Sequence, residues 1–217
     1  MTQQLAFDLP VVEAMTRGDF FETSANAAGL QAIDQPGLWP GGRMLLVGPA
    51  GSGKTHLAQI WAGAQVVTVA GLSRALAEGH GQVAVDDAHL VAGGDEESLF
   101  HLHNRLAQGG RLLLTAPTPP RDWGLQLPDL LSRMQAIAIT TLAAPDDTLL
   151  SAVLVKLFAD RQIAVAPNLI AYLVTRMERS IGAARALVAA LDARALALRR
   201  PVSRTLAAEV LDLGCPQ

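Results

Sequence analysis

The sequence predicts an α/β protein: a five-stranded parallel sheet with helices on its faces, followed by a small all-helical domain. Three observations carry that expectation. Short apolar runs recur through residues 19–141, with helical stretches or turns between them, which is the rhythm of βαβ units. One of these runs breaks into a glycine-rich loop that opens a helix. After Leu142 strand signals stop and helix starts follow one another. Composition agrees. Half of the residues are apolar and only 4% are aromatic, so the core must be mainly Leu, Val, Ala and Ile. That suits helices on a parallel sheet better than a β-sandwich.

Residues 1–18 read as a tail with a short lead-in, 19–141 as the α/β domain and 142–217 as the helical domain. Pro36, Gly37, Pro40, Gly41 and Gly42 make a turn-rich approach to the first strand. Strands are expected at Met44–Val47, Val66–Val69, Val83–Val85, Leu112–Thr115 and Ile137–Thr140. Leu99 to Leu106 carries apolar residues at helical spacing between the third and fourth strands. Beyond Leu142, Pro145-Asp146-Asp147, Pro167-Asn168, Ser180 and Ser203 are caps or first-turn residues. They predict helices over residues 146–161, 167–178, 180–199 and 203–212.

The 217 residues fit one medium domain, or a nucleotide-binding domain with a small appendage. A net charge of −3 argues against a nucleic-acid-binding surface, since phosphate contacts need clustered Lys and Arg. Arg194, Arg199, Arg200 and Arg204 do gather late, and read as the solvated face of an Ala/Leu-rich helix. The single cysteine, Cys215, can make no internal disulfide, which suits a reducing compartment. The first residues carry Asp8 and Pro10 and lack the basic stretch of a secretory signal. No apolar run is long enough to span a bilayer. These features lead us to expect a soluble, cytoplasmic protein without membrane contacts.

The chemistry starts at Leu45-Leu46-Val47-Gly48-Pro49-Ala50-Gly51-Ser52-Gly53-Lys54-Thr55. A loop of this kind turns backbone N–H groups onto an anion, the following helix adds its positive end, and Lys54 adds a full charge. Thr55 offers the hydroxyl that a phosphate-bound Mg²⁺ needs. The pattern predicts a nucleoside di- or triphosphate held by Gly48, Pro49, Ala50, Gly51, Ser52, Gly53, Lys54, Thr55 and His56. Val83-Ala84-Val85-Asp86-Asp87 is a second phosphate-site signature, a buried strand ending in acids. Asp86 can hold Mg²⁺ and Asp87 can orient a water. Thr115 ends the fourth strand, where it can touch the γ-phosphate or the attacking water, or serve simply as a strand-end threonine.

Taken together, several segments resemble the AAA+ module of the bacterial replication initiator DnaA. They are Gly48–Leu57, the pair Asp86-Asp87, and Glu96-Glu97-Ser98-Leu99-Phe100-His101-Leu102-His103-Asn104. Leu112-Leu113-Leu114-Thr115-Ala116-Pro117-Thr118-Pro119-Pro120 and Leu127-Pro128-Asp129-Leu130-Leu131-Ser132-Arg133 complete the set. The resemblance runs from about Phe20 to Leu213. It implies the AAA+ fold with a helical lid, ADP or ATP with Mg²⁺ as ligand, and Asn26 beside the nucleotide base. It also implies that Arg133 acts as an arginine finger on a neighbouring protomer, and that the lid gives an arginine to the phosphates. Gapless matching puts that lid position on Gly182. Arg179 and Arg185 flank it, and Arg185 heads a stretch similar to the family's sensor helix.

Departures narrow the resemblance. No further domain is expected before or after this module, and the stretch from Lys54 to Asp86 is short, with little room for an extra DNA-contacting helix. That pattern is similar to Hda-type regulators, which inactivate the initiator after replication begins. Such proteins carry a sliding-clamp-binding peptide at the N-terminus, and Gln4-Leu5-Ala6-Phe7-Asp8-Leu9 looks like one, with Leu5, Phe7 and Leu9 as apolar anchors. Pro117 stands where relatives place an acid, which implies weak intrinsic hydrolysis. The expected partners are DnaA and the β sliding clamp of DNA polymerase III, without sequence-specific DNA binding. A loader or adaptor at the origin, and an autonomous ATPase, are the alternatives. Monomer and homodimer are both compatible with the sequence.

Overall fold

A computed structural model describes residues 17–61 and 65–212. Its centre is one parallel sheet of strands β1 (Arg43–Val47), β2 (Gln65–Val67), β3 (Gln82–Val85), β4 (Arg111–Ala116) and β5 (Ala138–Thr141), in the order β2-β3-β4-β1-β5. β4 lies between β1 and β3, so Thr115 stands beside Leu46 in register. The three inner strands are apolar because both of their faces are covered. Leu45 and Val47 point to one core with Leu112, Leu114, Val83 and Val85. Met44 and Leu46 point to the other with Leu113 and Ala84.

Helices α1 (Ala27–Asp34) and α2 (Lys54–Ile60) cover the second face through Leu30, Ile33, Leu57 and Ala58. Helices α3 (Leu72–Glu78), α4 (Glu96–Leu106) and α5 (Pro128–Gln135) cover the first through Leu72, Leu99, Leu102, Leu130 and Met134. Residues 68–81 hold a 3₁₀ turn and α3, and no second helix. The remaining helices α6 (Asp147–Asp160), α7 (Pro167–Val174), α8 (Ile181–Leu198) and α9 (Arg204–Asp212) pack round their own core of Leu154, Phe158, Leu173, Leu187 and Leu206. No helix among the described residues is long and apolar enough to cross a membrane.

The five strands and the helical second domain match the expected architecture. Small shifts have local causes. β2 stops at Val67, because Val69 already opens a 3₁₀ turn. β5 starts at Ala138, while Ile137 is bound into the turn after α5 by its N–H on Met134 O. α7 ends at Val174 rather than near residue 178, where the Thr175 hydroxyl bonds back to the Ala171 and Tyr172 carbonyls. Side-chain back-bonding of this type competes with continued helix. Gln4, Leu5, Phe7, Leu9 and Cys215 lie outside the described residues.

Candidate nucleotide site

β1 ends at Val47 and delivers the loop to the carboxyl end of the sheet. The loop needs its glycines: Gly51 has φ +71° and Gly53 φ +96°, backbone that side chains rarely adopt. With Gly53 as the residue before the helix, Lys54 opens α2. The Lys54 ammonium is buried, and its Nζ donates to Gly48 O at 2.8 Å and Pro49 O at 2.9 Å. Burial lowers its pKa, which Asp87 and Asp86 partly offset. The hydroxyl Oγ of Ser52 is also buried in the loop and has no partner. A half-compensated cation and an orphaned hydroxyl on one loop fit a phosphate chain.

The acids meet the loop across β3. Thr55 Oγ1 donates to Asp86 Oδ2 at 2.8 Å, and Thr115 Oγ1 donates to Asp86 Oδ1 at 2.5 Å. The Asp86 backbone is pinned by its own N–H on Val67 O at 2.8 Å. Asp87 turns the chain with φ +51°, and its N–H donates to Thr115 Oγ1 at 3.0 Å. Loop, β3 end and β4 end are thus joined by one hydrogen-bonded chain. Among the described residues no cluster of three or more His, Cys, Asp or Glu could hold a metal unaided. Thr55 and Asp86 can hold Mg²⁺ only together with phosphate oxygens and water, the usual arrangement for this ion.

Other predicted residues fall differently. Asn26 is buried, but both ends of its amide are engaged: Oδ1 accepts from Thr23 N at 2.9 Å and Nδ2 donates to Phe21 O at 2.8 Å. Both bonds build its side chain into the loop before α1. His56 meets the Phe20 ring edge to face at 5.2 Å. Phe20 lies against Gly53, so this pair walls the loop, and Phe20 had no signal of its own in the sequence.

The lid touches the loop directly. Ser180 caps α8 by accepting from Ala183 N, and Ile181 N donates to Gly51 O at 3.2 Å. A Cβ at Gly51 would sit 2.1 Å from Ser180 Oγ. Gly182 is in the first turn of α8, and Arg185 follows one turn further in, half-buried. Arg179 instead pairs with Asp147 at 2.7 Å on an exposed surface.

Arg133 is exposed on the last turn of α5, its guanidinium 5.1 Å over the Phe100 ring. It lies close enough to Arg43 and His103 to repel positive charge there. Arg43 is the first residue of β1. Arg133 therefore stands at the amino end of a strand whose carboxyl end feeds the phosphate loop, about 13 Å away along β1. Glu96, at the start of α4, sets this arrangement. Its carboxylate accepts from Gly93 N at 3.3 Å, Gln126 N at 3.0 Å and Leu127 N at 2.8 Å, and Leu127 immediately precedes α5.

No protein-family model matches the chain. Among solved structures it is similar to domain III of the replication initiation protein DnaA from Thermotoga maritima, with TM-score 0.78 and 18% identity over 94% of this chain and 98% of that one. AMPPCP-bound DnaA from Aquifex aeolicus gives TM-score 0.66 at 15% identity, covering 82% of this chain and 65% of that one. The Thermotoga maritima RuvB Holliday junction branch migration motor gives 0.63 at 18%, covering 87% and 66%. The chain thus spans just under two thirds of these longer proteins. At such identities the likeness is one of fold: the five-stranded parallel sheet with its helices and the helical domain that follows are arranged as in these structures.

Proposed function

We propose that this protein is a nucleotide-bound regulator of DNA replication initiation. It holds ADP or ATP through the Gly48–Thr55 backbone and Lys54, with Mg²⁺ at Thr55 and Asp86. It docks on the DNA-loaded sliding clamp through Gln4, Leu5, Phe7 and Leu9, and it stimulates hydrolysis of ATP held by DnaA through Arg133. The observation that carries this reading is the placement of Arg133, exposed at the end of the sheet opposite its own phosphate loop. A guanidinium there is out of reach of its own phosphate loop, which supports a role toward phosphates bound by another molecule.

The likeness to DnaA supports the choice of pathway, and one of the similar structures is an initiator bound to AMPPCP. Mg²⁺, when bound, neutralises charge between the phosphate oxygens. The protein's own groups do the rest. Lys54 meets the phosphates as a full charge, Ser52 Oγ takes an oxygen that it lacks within the loop, and Asp86 fixes the Thr55 hydroxyl. The hydroxyls of Thr55 and Thr115 are both committed to Asp86, and Pro117 supplies no acid after β4. Intrinsic hydrolysis should accordingly be slow. Arg133, always charged and able to contact two phosphate oxygens, suits the charge that develops on a transferring phosphoryl group.

The deciding experiment measures ATP hydrolysis by DnaA with and without this protein and the DNA-loaded clamp. Stimulation that needs all three components, and that Arg133→Ala abolishes while clamp binding persists, is the expected result. Full stimulation by the Arg133→Ala variant overturns the trans mechanism. Rapid turnover by the isolated protein would make it an autonomous ATPase instead.

A further inference from the structure

The helical domain matches three of its arginines with acids: Arg161 with Asp192 at 4.0 Å, Arg179 with Asp147 at 2.7 Å and Arg200 with Glu209 at 3.7 Å. Arg176 and Arg204 are treated differently. Both are exposed, and neither meets a carboxylate among the described residues. Both lie instead over one ring, that of Tyr172 on α7, with guanidinium carbons 4.1 and 4.5 Å from its centroid. Arg176 follows the end of α7, and Arg204 opens α9, so two elements deliver the pair. Sharing one ring keeps the two like charges within two such distances of each other. Arg176 spends one N–H on Thr175 Oγ1 at 3.2 Å, and the Arg204 side chain makes no hydrogen bond among the described residues. The helix dipole does not explain Arg204 either. It stands at the positive end of α9, whose first turn holds no acid.

We propose that Arg176 and Arg204, held on Tyr172, contact the phosphate backbone of double-stranded DNA without regard to sequence. A guanidinium carries five N–H donors in a fork that fits two phosphate oxygens, and nearly all donors of this pair stay open. Neighbouring phosphates of one strand offer two negative charges close together. The ring sets the spacing, because each cation is tied to Tyr172 rather than loose on its stem. Duplex DNA fits better than an acidic protein segment. A protein interface is built round an apolar core, and none of the exposed large apolar side chains belongs to α7 or α9. The net charge of −3 does not oppose the contact, since acids more than about 8 Å away are largely screened at physiological salt. This inference goes beyond the trans reading, for it needs neither DnaA nor the clamp. Two arginines bind weakly alone, and tethering near DNA would make the contact effective.

A purely structural role is the competing account, in which the ring contacts only tie α9 to the end of α7. The two accounts separate in binding of the full-length protein to linear DNA duplexes of unrelated sequence, followed by fluorescence anisotropy from low salt upward, with thermal midpoints measured alongside. On the proposal, Arg176→Gln and Arg204→Gln each weaken binding alike on every duplex. Each also flattens the plot of log affinity against log salt by about 1. Arg176→Lys and Arg204→Lys keep the charge and most of the slope. Arg194→Gln, which removes an exposed charge of α8 that lies over no ring among the described residues, leaves the slope nearly unchanged. A second readout is direct. Tyr172 is the chain's single tyrosine, so the NMR signals of a tyrosine-labelled sample should shift as duplex is added. The proposal is overturned if no duplex binds at low salt, or if the tyrosine signals stay fixed. It is overturned equally if the variant carrying both Arg176→Gln and Arg204→Gln keeps the wild-type slope, or if Arg194→Gln flattens it as much. Lower thermal midpoints with unchanged duplex binding would leave the ring contacts structural. Tighter binding of polyglutamate than of duplex would assign the surface to an acidic protein instead. Each of these failures leaves the trans reading standing, because DnaA hydrolysis is not the quantity measured.

Discussion

Replacing Glu96 by alanine tests how the arginine-bearing helix is held. The carboxylate is buried, with 7% of the residue exposed, and accepts from the N–H groups of Leu127, Gln126 and Gly93 at 2.8, 3.0 and 3.3 Å. A hydrogen bond to a charged group contributes about 1.5–3 kcal/mol, and an abandoned buried donor costs about 1–3 kcal/mol. Two of the three bonds are short, and desolvation of the carboxylate offsets part of their gain. The balance predicts a loss of about 3 kcal/mol in urea unfolding at pH 7. The pH dependence has a definite sign. Burial alone would raise the Glu96 pKa, but the three backbone N–H groups outweigh it and hold the group below its ordinary value of 4.5. Its stabilisation is therefore present above about pH 4.5 and lost as pH falls further. The gap between wild type and Glu96→Ala should close in acid. Because Leu127 leads directly into α5, the variant should also lose trans stimulation while nucleotide binding on the far end of β1 persists. A loss below about 1 kcal/mol at pH 7, or a gap that widens in acid, refutes this account.

Three further outcomes follow from the same geometry. Lys54→Ala removes the buried ammonium and should weaken nucleotide binding by about two orders of magnitude in calorimetry, without lowering the thermal midpoint. Gly51→Ala meets Ser180 Oγ at 2.1 Å on a backbone with φ +71°. It should push α8 off the loop, destabilise the fold by about 1–2 kcal/mol in urea and reduce nucleotide affinity. For His103, a pKa lowered from 6.5 to about 4 means that the unfolded chain binds the proton first as pH falls. Wild type should lose about 2 kcal/mol between pH 7.5 and 5 through this residue, and His103→Leu should flatten that dependence, read from urea midpoints.

What could be read in the sequence followed from local physics. β1, β3 and β4 are buried on both faces and so appear as continuous apolar runs. The phosphate loop is a contiguous motif whose glycines meet a backbone requirement visible in the residue types. The lid helices announced themselves through Asp146 and Ser180, whose side chains do accept from Leu149 N and Ala183 N. What escaped reading depends on contacts between distant segments. Glu96 reaches residues 126 and 127, Arg43 reaches the carbonyl of His103, and Phe20 reaches His56. Nothing in the residues next to Glu96 says that its carboxylate will serve three backbone donors. Asn26 shows the converse limit, because a family position beside a nucleotide says nothing about whether both ends of the amide are already taken by Thr23 and Phe21.

The polarity of the sheet ties the two ends of the molecule together. A parallel strand followed by a crossover helix must return the chain to the amino edge before the next strand begins. β4 ends at the nucleotide side with Thr115 and Ala116, and β5 begins at the other side with Ala138. The last turn of the intervening helix α5, which carries Arg133, is thereby delivered to the amino edge, beside Arg43. The phosphate loop leaves the same β1 at its carboxyl edge through Gly48. One strand thus lies between the candidate phosphate loop at its carboxyl end and Arg43 at its amino end. The length of β1, about 13 Å from Arg43 to Val47, keeps the two ends apart within one chain. Under the proposed function, the loop is completed by its own nucleotide and lid, and Arg133 by phosphates that another protein holds.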